Sequence, residues 1–335
     1  MSRPGAPLLS RRDLLLAIPG AAVAAAVACR SKPPYDPARF AHAATSDVAI
    51  LPAARYDLDL ANVIGRGLAL LKVDVSGKRV LLKPNLVEYY PGRVINTDAA
   101  LVAGAAEALR RAGARSVVVA EGPGHRRDIE YLVTSTGLFD RLAELRVPFV
   151  DLNHDDVRRV SLASGFMKLR DLALPATVLD ADLVVSMPKL KTHHWAGMTG
   201  SLKNLFGVVP GAIYGWPKNL LHFRGIENSI VDLAATLRPG LAIVDAIVGM
   251  EGDGPIMGRA RQVGCVVMGR DLVAVDATCA RVIGLNPERM PYLSQAGEFL
   301  GNLGEDAINQ RGEPLARYAT RFDILPAFKS VRVTG

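Results

Sequence analysis

Short apolar runs alternate along this chain with segments whose apolar residues recur at helical spacing. Continuous aliphatic and β-branched runs predict seven strands, at residues 48–51, 80–83, 116–120, 149–152, 183–186, 241–244 and 265–268. The segments between them predict five helices, at residues 58–71, 98–112, 128–146, 225–237 and 272–283. Unbroken apolar runs that alternate with helices predict an α/β fold, in which helices cover both faces of a mostly parallel sheet.

The first 28 residues predict a targeting segment. The pair Arg11-Arg12 stands directly before an alanine-rich apolar run that a Pro-Gly pair interrupts and that ends in small residues. Small residues at the end are typical of a cleavable signal, whereas proline and glycine in mid-run disfavour a membrane anchor. The segment resembles a twin-arginine export signal. That resemblance implies recognition by the twin-arginine translocation machinery and a location in the periplasm or at the outer face of a membrane.

Cys29 directly follows the signal. A bacterial lipoprotein signal ends in this way, but Ala26-x-Ala28 serves equally well as an ordinary peptidase site. Both a lipid anchor at Cys29 and a thiol left by simple cleavage stay open. Residues 29–46 are rich in proline and predict a linker, and residues 47–330 predict a single, two-lobed domain.

Composition narrows the classes of protein. The 335 residues are 50% hydrophobic and 22% charged, enough to bury a full core, which excludes a disordered chain. The three cysteines contain no C-x-x-C pair, so the chain has no iron–sulfur motif of its own, which would need four thiolates. The formal net charge of +7 permits an anionic partner. Because no basic–aromatic stripe is present, nucleic acid is not an expected partner.

One stretch, residues 183–225, contains no aspartate or glutamate. It carries five cations and three histidines, which are Lys189, Lys191, Lys203, Lys218, Arg224, His193, His194 and His222. This pattern predicts a positively charged site for an anionic small molecule or cofactor, unless acidic side chains from elsewhere in the fold pair with these lysines. Glycines such as Gly200 let backbone N–H groups approach an anion, and a helix beginning near Ser201 would direct its amino end toward it.

Polar segments follow several of the predicted strands. In an open parallel sheet, ligands bind outside the carboxyl ends of the strands. We therefore expect the segments around Lys83, Glu121, Lys189 and Asp245 to converge on one rim. The candidate contacts to a substrate or cofactor are Lys83, Asn85, Lys189, Gly200, Asn204 and His222.

His193 is the candidate general acid and base, because the ordinary pKa of histidine lies near neutral pH. Lys203 and Lys191 are candidates for direct or covalent contact with the reacting group. His193 and His194 are adjacent, so on an extended segment one would line the site and the other would pack elsewhere. A zinc site made of His193, His194 and His222 lacks compact ligand spacing.

Residues 245–255 predict an acidic, glycine-rich loop after a strand. Asp245 and Asp253 could bind a divalent cation or orient lysines, and an ordinary solvated loop is the alternative. Further along, Asp271 predicts a helix cap, and Asp276 is expected to face the same cleft or the surface. Cys279 predicts an inert core thiol.

Five of these segments occur in the order found in the family called domain of unknown function 362, which the chain resembles. They are Lys83-Pro84-Asn85 and residues 188–193, 199–207, 245–255 and 271–276. The resemblance covers residues 48–285 and implies a fold rather than an activity. Some members carry a ferredoxin-like cysteine module with iron–sulfur clusters. This chain lacks that module, so electron transfer would need an iron–sulfur or redox partner protein.

A more remote resemblance is to the amino-terminal domain of lactate racemases, in which a lysine tethers a nickel–pincer cofactor. His193, Gly200, Lys203 and a following Pro-Gly pair stand in a similar order, and His222 matches the nickel ligand. The resemblance implies a cleft for a metal, a nickel-pincer-like cofactor or an anion.

Together these observations predict an exported enzyme of redox or isomerase type, with an anionic substrate or cofactor in a cleft lined by lysine and histidine. The alternative is a non-catalytic protein that binds an anion, or that delivers a metal or a cluster to a partner.

Overall fold

A ten-stranded sheet forms the centre of the structure, a computed structural model that describes residues 32–124 and 128–333. Two further strands, β5 and β6, form a separate hairpin. The strands are β1 Ser46–Pro52, β2 Arg79–Pro84, β3 Ser116–Glu121, β4 Phe149–Asp151, β5 Val157–Ser161, β6 Asp171–Pro175, β7 Leu183–Met187, β8 Lys189–His193, β9 Gly197–Thr199, β10 Leu241–Glu251, β11 Arg259–Gly269 and β12 Ile308–Gly312.

The main path through the sheet runs β12-β1-β11-β10-β7-β2-β3-β4. Pairing along it is parallel except where β11 meets β1 and β10. β8 follows β7 in the chain and, like β7, pairs in parallel with β10. β8 also pairs antiparallel with β9. The α/β fold with a mostly parallel sheet is therefore confirmed.

Ten α-helices of the described residues pack around this sheet. They are α1 Leu60–Leu70, α2 Ala99–Arg111, α3 Ile129–Ser135, α4 Leu138–Leu145, α5 Ala176–Leu179, α6 Gly211–Tyr214, α7 Asn219–Phe223, α8 Ile226–Leu237, α9 Leu272–Val282 and α10 Pro291–Gly297. Aliphatic side chains from α1, α2 and the central strands form one buried core. Burial of this apolar surface is the main stabilising contribution to the fold.

Local signals place the helix starts where the sequence predicts them. The Asp98 carboxylate accepts a hydrogen bond from Ala100 N at 2.8 Å and so caps α2. Asp271 caps α9 by accepting from Val273 N at 2.9 Å. The predicted helix at 128–146 is instead two helices, α3 and α4, because the backbone of Gly137 turns into the left-handed region at φ +69°.

Two of the polar segments that follow predicted strands form strands themselves. Residues 245–251 continue β10, because they pair with β11 as far as Glu251, with one irregularity between Ala246 and Val248. Residues 189–193 form β8 rather than a loop. The helix expected near Ser201 is a short 3-10 helix, Lys203–Val208.

From Pro37 onward the described chain forms one compact unit. Within the stretch predicted as a linker, Pro37–Phe40 forms a 3-10 helix, and the Phe40 ring packs edge-on against Phe299 at 4.8 Å. The predicted signal and Cys29 lie outside the described residues. No helix in the described part of the chain is both long and apolar enough to cross a membrane.

Candidate functional site

A cavity of about 240 Å³ opens where β2 and β3 end. Strands β8 and β9, the 3-10 helix Lys203–Val208 and helix α7 form its other walls. Apolar side chains such as Leu86 and Phe206 make up much of the lining, and Glu121 is its one acidic residue among those described. The polar and charged side chains that line it are Asn85, Glu121, Lys191, His193, His194, Thr199, Lys203, Asn204, Lys218 and His222.

The structure brings six of the predicted site residues to this cavity, namely Asn85, Lys191, His193, Lys203, Asn204 and His222. Five others do not line it, namely Lys83, Lys189, Gly200, Asp245 and Asp253. We expected four segments to converge on one rim. The segments that follow β2 and β3 and the one that contains β8 do so, and the fourth, at residues 245–255, reaches the cavity only at its last residue, Pro255. Thr199 and Trp195 also line the cavity and were missed as site residues, although Thr199 begins one of the family-like segments.

Lys83 lies behind the cavity wall in a buried ion pair. Its amine donates to Glu121 Oε2 at 2.7 Å, and burial lowers the pKa of Lys83. The same carboxylate accepts from Gly122 N at 2.9 Å. A methyl group on Gly207 would lie 1.9 Å from Glu121 Oε1, so the 3-10 helix approaches this pair closely only because residue 207 is glycine.

Asp245 is held by a lysine and a tyrosine. Lys189 donates to Asp245 Oδ2 at 2.6 Å and to the Tyr56 hydroxyl oxygen at 2.8 Å. Tyr56 in turn donates to Asp245 Oδ1 at 2.9 Å. All four polar atoms are satisfied within this network, which favours the alternative that Asp245 orients a lysine.

Asp253 has a different environment, 4.0 Å from His194 Nδ1 at an exposed turn. Among the described residues, no group of three histidine, cysteine, aspartate or glutamate side chains is placed to hold a metal ion. The donor set therefore does not fit a metal centre built by three or more of these side chains.

Two of the three lysines that line the cavity have their amines bound to the protein. Lys191 donates to the carbonyl of Ile95 at 2.7 Å. Lys218 donates to Asn153 Oδ1 at 2.8 Å and to the carbonyl of Val209. Burial lowers the pKa of Lys191 well below its ordinary value and that of Lys218 to about 7.

Lys203 differs from both neighbours, because no described residue accepts a hydrogen bond from its amine or forms an ion pair with it. Its Nζ lies 3.8 Å from the centre of the Phe206 ring. Burial, and next the charge of Lys83, lower the pKa of Lys203 to about 7. The neutral amine is therefore far more accessible at this position near neutral pH than it is for an ordinary lysine.

His193 ends β8 and is held by the turn that follows it. Its Nδ1 accepts hydrogen bonds from the backbone N–H groups of Trp195 at 3.1 Å and Ala196 at 3.3 Å. Because backbone N–H groups only donate, Nδ1 carries no proton, and the neutral ring carries its proton on Nε2. Burial keeps the ring neutral by lowering the pKa of His193 well below its ordinary value. Nε2–H is thus a donor.

His222 has the opposite arrangement. Its Nδ1 lies 3.1 Å from the carbonyl oxygen of Lys218, which only accepts, so Nδ1 carries the proton and Nε2 is the acceptor. Burial lowers the pKa of His222 as well. The cavity thus has a hydrogen-bond donor at His193 Nε2 and an acceptor at His222 Nε2.

The two adjacent histidines both line the cavity, which corrects the expectation that one of them would pack elsewhere. The chain turns sharply after His193, so the His194 ring lies 5.0 Å from the His193 ring instead of on the opposite face of a strand. Trp195 contacts His194 and His222 at 4.6 and 4.8 Å between ring centres. These contacts restrict the imidazole rings to defined orientations.

Two fully buried polar atoms on the cavity wall have no hydrogen-bond partner among the described residues. They are Thr199 Oγ1 and Asn85 Oδ1. Buried polar atoms in folded proteins are almost always paired. Their lack of a protein partner points to a ligand that both donates and accepts hydrogen bonds.

Asp276 holds the loop that leads to Lys203. It is fully buried, rather than in the cleft or on the surface, and it accepts from Ser201 N at 2.6 Å, Ser201 Oγ at 2.7 Å and Leu202 N at 3.0 Å. A Cβ on Gly200 would lie 2.4 Å from the same carboxylate. Gly200 therefore serves this close packing rather than ligand contact.

The family model called Domain of unknown function (DUF362) matches residues 80–281. The chain belongs to this family. The curated Thylakoid-associated protein sll1697 of Synechocystis sp. (strain ATCC 27184 / PCC 6803 / Kazusa) is 34% identical over 234 residues, which are 67% of this chain and 68% of that protein.

Two solved structures share a remote likeness. The lactate racemase apoprotein from Thermoanaerobacterium thermosaccharolyticum is 14% identical with a TM-score of 0.38, over 65% of this chain and 54% of the racemase. A protein from Thermotoga maritima is 15% identical with a TM-score of 0.37, over 65% of this chain and 58% of its own. This chain thus spans little more than half of either structure. At TM-scores below 0.5, neither likeness bears on the activity.

Proposed function

We propose that this protein is an enzyme of the isomerase type, which binds a small anionic molecule in the cavity and moves a proton on it. The observation that carries the proposal is a set of polar groups on one cavity that no described residue satisfies. They are Lys203 Nζ, Thr199 Oγ1 and Asn85 Oδ1. In the unliganded protein only water can pair with these groups, and a ligand with polar atoms of its own would replace that water.

The charge of the cavity favours an anion. Lys191, Lys203 and Lys218 line it against Glu121, whose charge is already balanced by Lys83. A bound carboxylate would lie near lysines whose own charge is disfavoured by burial, and it would stabilise their protonated forms. We therefore expect an anion to bind next to Lys203, the cavity lysine whose amine has no other partner among the described residues.

The two histidine tautomers support proton transfer rather than binding alone. His193 offers Nε2–H to an oxygen on which negative charge develops, and His222 offers an unprotonated Nε2 to the proton that leaves. A neutral imidazole acting as a donor stabilises such an oxygen without a charge of its own. Lys203 adds an amine in direct reach of the cavity space.

Calorimetry tests the binding part of this proposal. Pyruvate and phenylpyruvate should bind the full chain, whereas the uncharged methyl ester of pyruvate should bind at least roughly tenfold more weakly, since it lacks the charge. Lys203→Gln should weaken binding of the acids, and Lys72→Gln, at an exposed lysine, serves as the matched control. Equal affinity for acid and ester would contradict an anion site.

Proton exchange separates an enzyme from a binding protein. In D₂O, proton NMR should detect protein-dependent exchange of the hydrogens on the carbon next to the carbonyl of pyruvate. His222→Gln should retain binding and lose roughly 10²-fold or more of this exchange. If exchange is absent although pyruvate binds, the protein is the non-catalytic anion-binding alternative.

We further propose export by the twin-arginine route, with Cys29 as the candidate lipid attachment site. The arginine pair and the apolar run that follows it support the route. Expression in a bacterium with and without a functional twin-arginine translocase tests it, with Arg11→Lys/Arg12→Lys as the signal variant. Equal amounts of the protein outside the cytoplasm in both strains would contradict the proposal.

A further inference from the structure

The amines of the cavity lysines differ in one respect that bears on chemistry. Lys191 and Lys218 donate to fixed carbonyl and amide oxygens, whereas no described residue accepts from Lys203. Reaction at Lys191 or Lys218 would break hydrogen bonds that the fold has made. Reaction at Lys203 would break none.

The surroundings of Lys203 favour a reaction of its amine with a carbonyl carbon. Lys203 is half-buried, and the face of the Phe206 ring lies against its Nζ, which is 3.8 Å from the ring centre. The nearby positive charge of Lys83 disfavours a second ammonium group. Desolvation together with a neighbouring cation is the usual means by which an enzyme lysine is made nucleophilic.

Donors for a carbonyl oxygen line the same cavity. His193 Nε2–H has no partner among the described residues, and Thr199 Oγ1 is buried and unpaired. Either group could hold an oxygen that becomes negative as a nucleophile attacks its carbon. An amine at Lys203 that can attack carbon, with donors that can hold an oxygen, fits a ligand that has a carbonyl group better than an anion without one.

We propose that Lys203 forms an imine with the C2 carbonyl of a 2-oxo carboxylic acid bound in this cavity. This inference rests on the proposed function and names its substrate class. Apolar wall residues such as Leu86 and Phe206 leave room for an apolar side chain on the acid. The carboxylate supplies the negative charge that the lysines favour.

The step balances without an oxidant or reductant. The lone pair of the neutral amine forms a bond to C2, the π electrons of the carbonyl move to oxygen, and this oxygen takes up a proton. Nitrogen gives up its two protons in turn, and the hydroxyl oxygen takes up a second proton. The C–O bond then breaks to release water, while the nitrogen lone pair completes the C=N bond. Amine and ketone thus become imine and one water molecule.

Borohydride trapping tests this inference on the full chain. Pyruvate or phenylpyruvate is added, sodium borohydride reduces any imine to a stable amine, and peptide mass spectrometry locates the product. We expect one major adduct, at Lys203. It should be absent from Lys203→Arg and retained in Lys72→Arg, in which an exposed lysine is replaced.

The pH dependence adds a readout that a non-specific adduct would not reproduce. With a pKa of about 7, the neutral fraction of the Lys203 amine rises about tenfold between pH 6 and pH 8. An ordinary lysine, with a pKa near 10.4, gains about a hundredfold over the same interval. At low conversion, the yield of trapped adduct should rise about tenfold from pH 6 to pH 8, as expected for Lys203, rather than about a hundredfold.

Adducts spread over several lysines, or an adduct at Lys191 or Lys218 alone, would overturn the inference. Calorimetry with lactate, which has no carbonyl at C2, separates the two proposals. If lactate and pyruvate bind but no adduct forms at Lys203, the imine is wrong and the anion site stands. If neither acid binds, both proposals fail.

Discussion

The charge state of a single side chain, Lys203, determines what the cavity can do. Its low pKa results from burial and from the charge of Lys83, while Glu121 acts in the opposite direction. Lys83 does not line the cavity, so it acts there through its charge and through its contacts with the lining residues Glu121 and Asn204. Residues behind the wall thus contribute to the site.

Replacing Lys83 by methionine should raise the pKa of Lys203. The substitution removes a positive charge and leaves the opposing charge of Glu121 uncompensated. Competitive acetylation of lysines across pH 6–9, read by mass spectrometry, would report the shift as slower labelling of Lys203 at pH 7.

The same substitution leaves a buried carboxylate without its partner, at a cost of roughly 3–5 kcal/mol. The double variant Lys83→Met/Glu121→Gln removes both charges, and it should recover part of that stability. An unchanged labelling profile in a folded Lys83→Met protein would show that Lys83 does not set the pKa of Lys203.

Anion binding should take up protons near neutral pH. A bound carboxylate favours the ammonium form of Lys203, whose pKa in the free protein is about 7. Affinity should therefore fall as pH rises from 7 to 9. Calorimetry with lactate in buffers of different ionisation enthalpy measures the uptake directly. Proton uptake that persists unchanged in Lys203→Gln would place the proton on another group.

At the scale of elements, the loop between β9 and the 3-10 helix depends on helix α9. Asp276 of α9 binds the backbone of Ser201 and Leu202, directly before Lys203. Burial raises the pKa of Asp276 to about 6. The folded state therefore holds a proton on this carboxyl more tightly than the unfolded chain does.

The sign of the resulting pH effect follows from that raised pKa. Between pH 6 and pH 4 the folded protein takes up the proton while unfolded Asp276 stays ionised. The contribution of this group to stability thus grows on acidification, by roughly 3 kcal/mol in all. Asp276→Asn cannot titrate, and its amide cannot accept from both N–H groups, so it should lose stability and bind anions more weakly.

Urea unfolding of Asp276→Asn and of the unchanged protein, from pH 4 to pH 7, tests this prediction. The difference in the free energy of unfolding should widen in favour of the unchanged protein as the pH falls from 6 to 4. Asp59→Asn, at an exposed helix cap, provides the matched control. A constant difference across this range would mean that Asp276 does not titrate there.

Strands with a strong apolar pattern could be predicted from the sequence, because burial on both faces of a parallel sheet requires such runs. β8 could not. Its residues Lys189, Lys191 and His193 look like a polar loop, and they are stabilised in a strand by contacts such as that of Lys189 with Asp245, 56 positions away. β12, an exposed edge strand, has no apolar pattern at all.

The candidate site was predictable to a similar extent. Lysines and histidines without acidic neighbours in the sequence indicated where it lies. The sequence does not show which amines the fold pairs with other groups, so Lys83 and Lys189 were expected to contact the ligand alongside Lys203, whereas both form buried ion pairs. The tautomers of His193 and His222 likewise depend on backbone groups that only the folded chain brings near.

At the scale of the whole molecule, one carboxylate joins three distant parts of the chain. Asp271 caps α9 and also accepts from Ser46 Oγ at 2.6 Å and from Asn302 N at 2.7 Å. A Cβ on Gly301 would lie 2.0 Å from Asp271 Oδ1, so the packing is close. β1, α9 and the segment after α10 meet at this point.

Asp271→Ala should therefore cost more than loss of a cap alone. An ordinary N-cap contributes about 1 kcal/mol. The additional unpaired groups raise the expected loss to roughly 2–4 kcal/mol. Asp59→Ala, which removes a cap confined to α1, is the control, and denaturant unfolding measures both. Equal losses in the two variants would show that the long-range contacts contribute nothing.

The cavity lining comes from stretches of the chain that lie as far apart as Asn85 and Ile256. No short piece of the polypeptide contains both the reactive amine and the groups that modify it. Affinity for a small acid is therefore a reporter of native structure over most of the molecule. A proteolytic cut or a misfolded strand far from residue 203 would be detected as lost binding, even where Lys203 itself is unchanged.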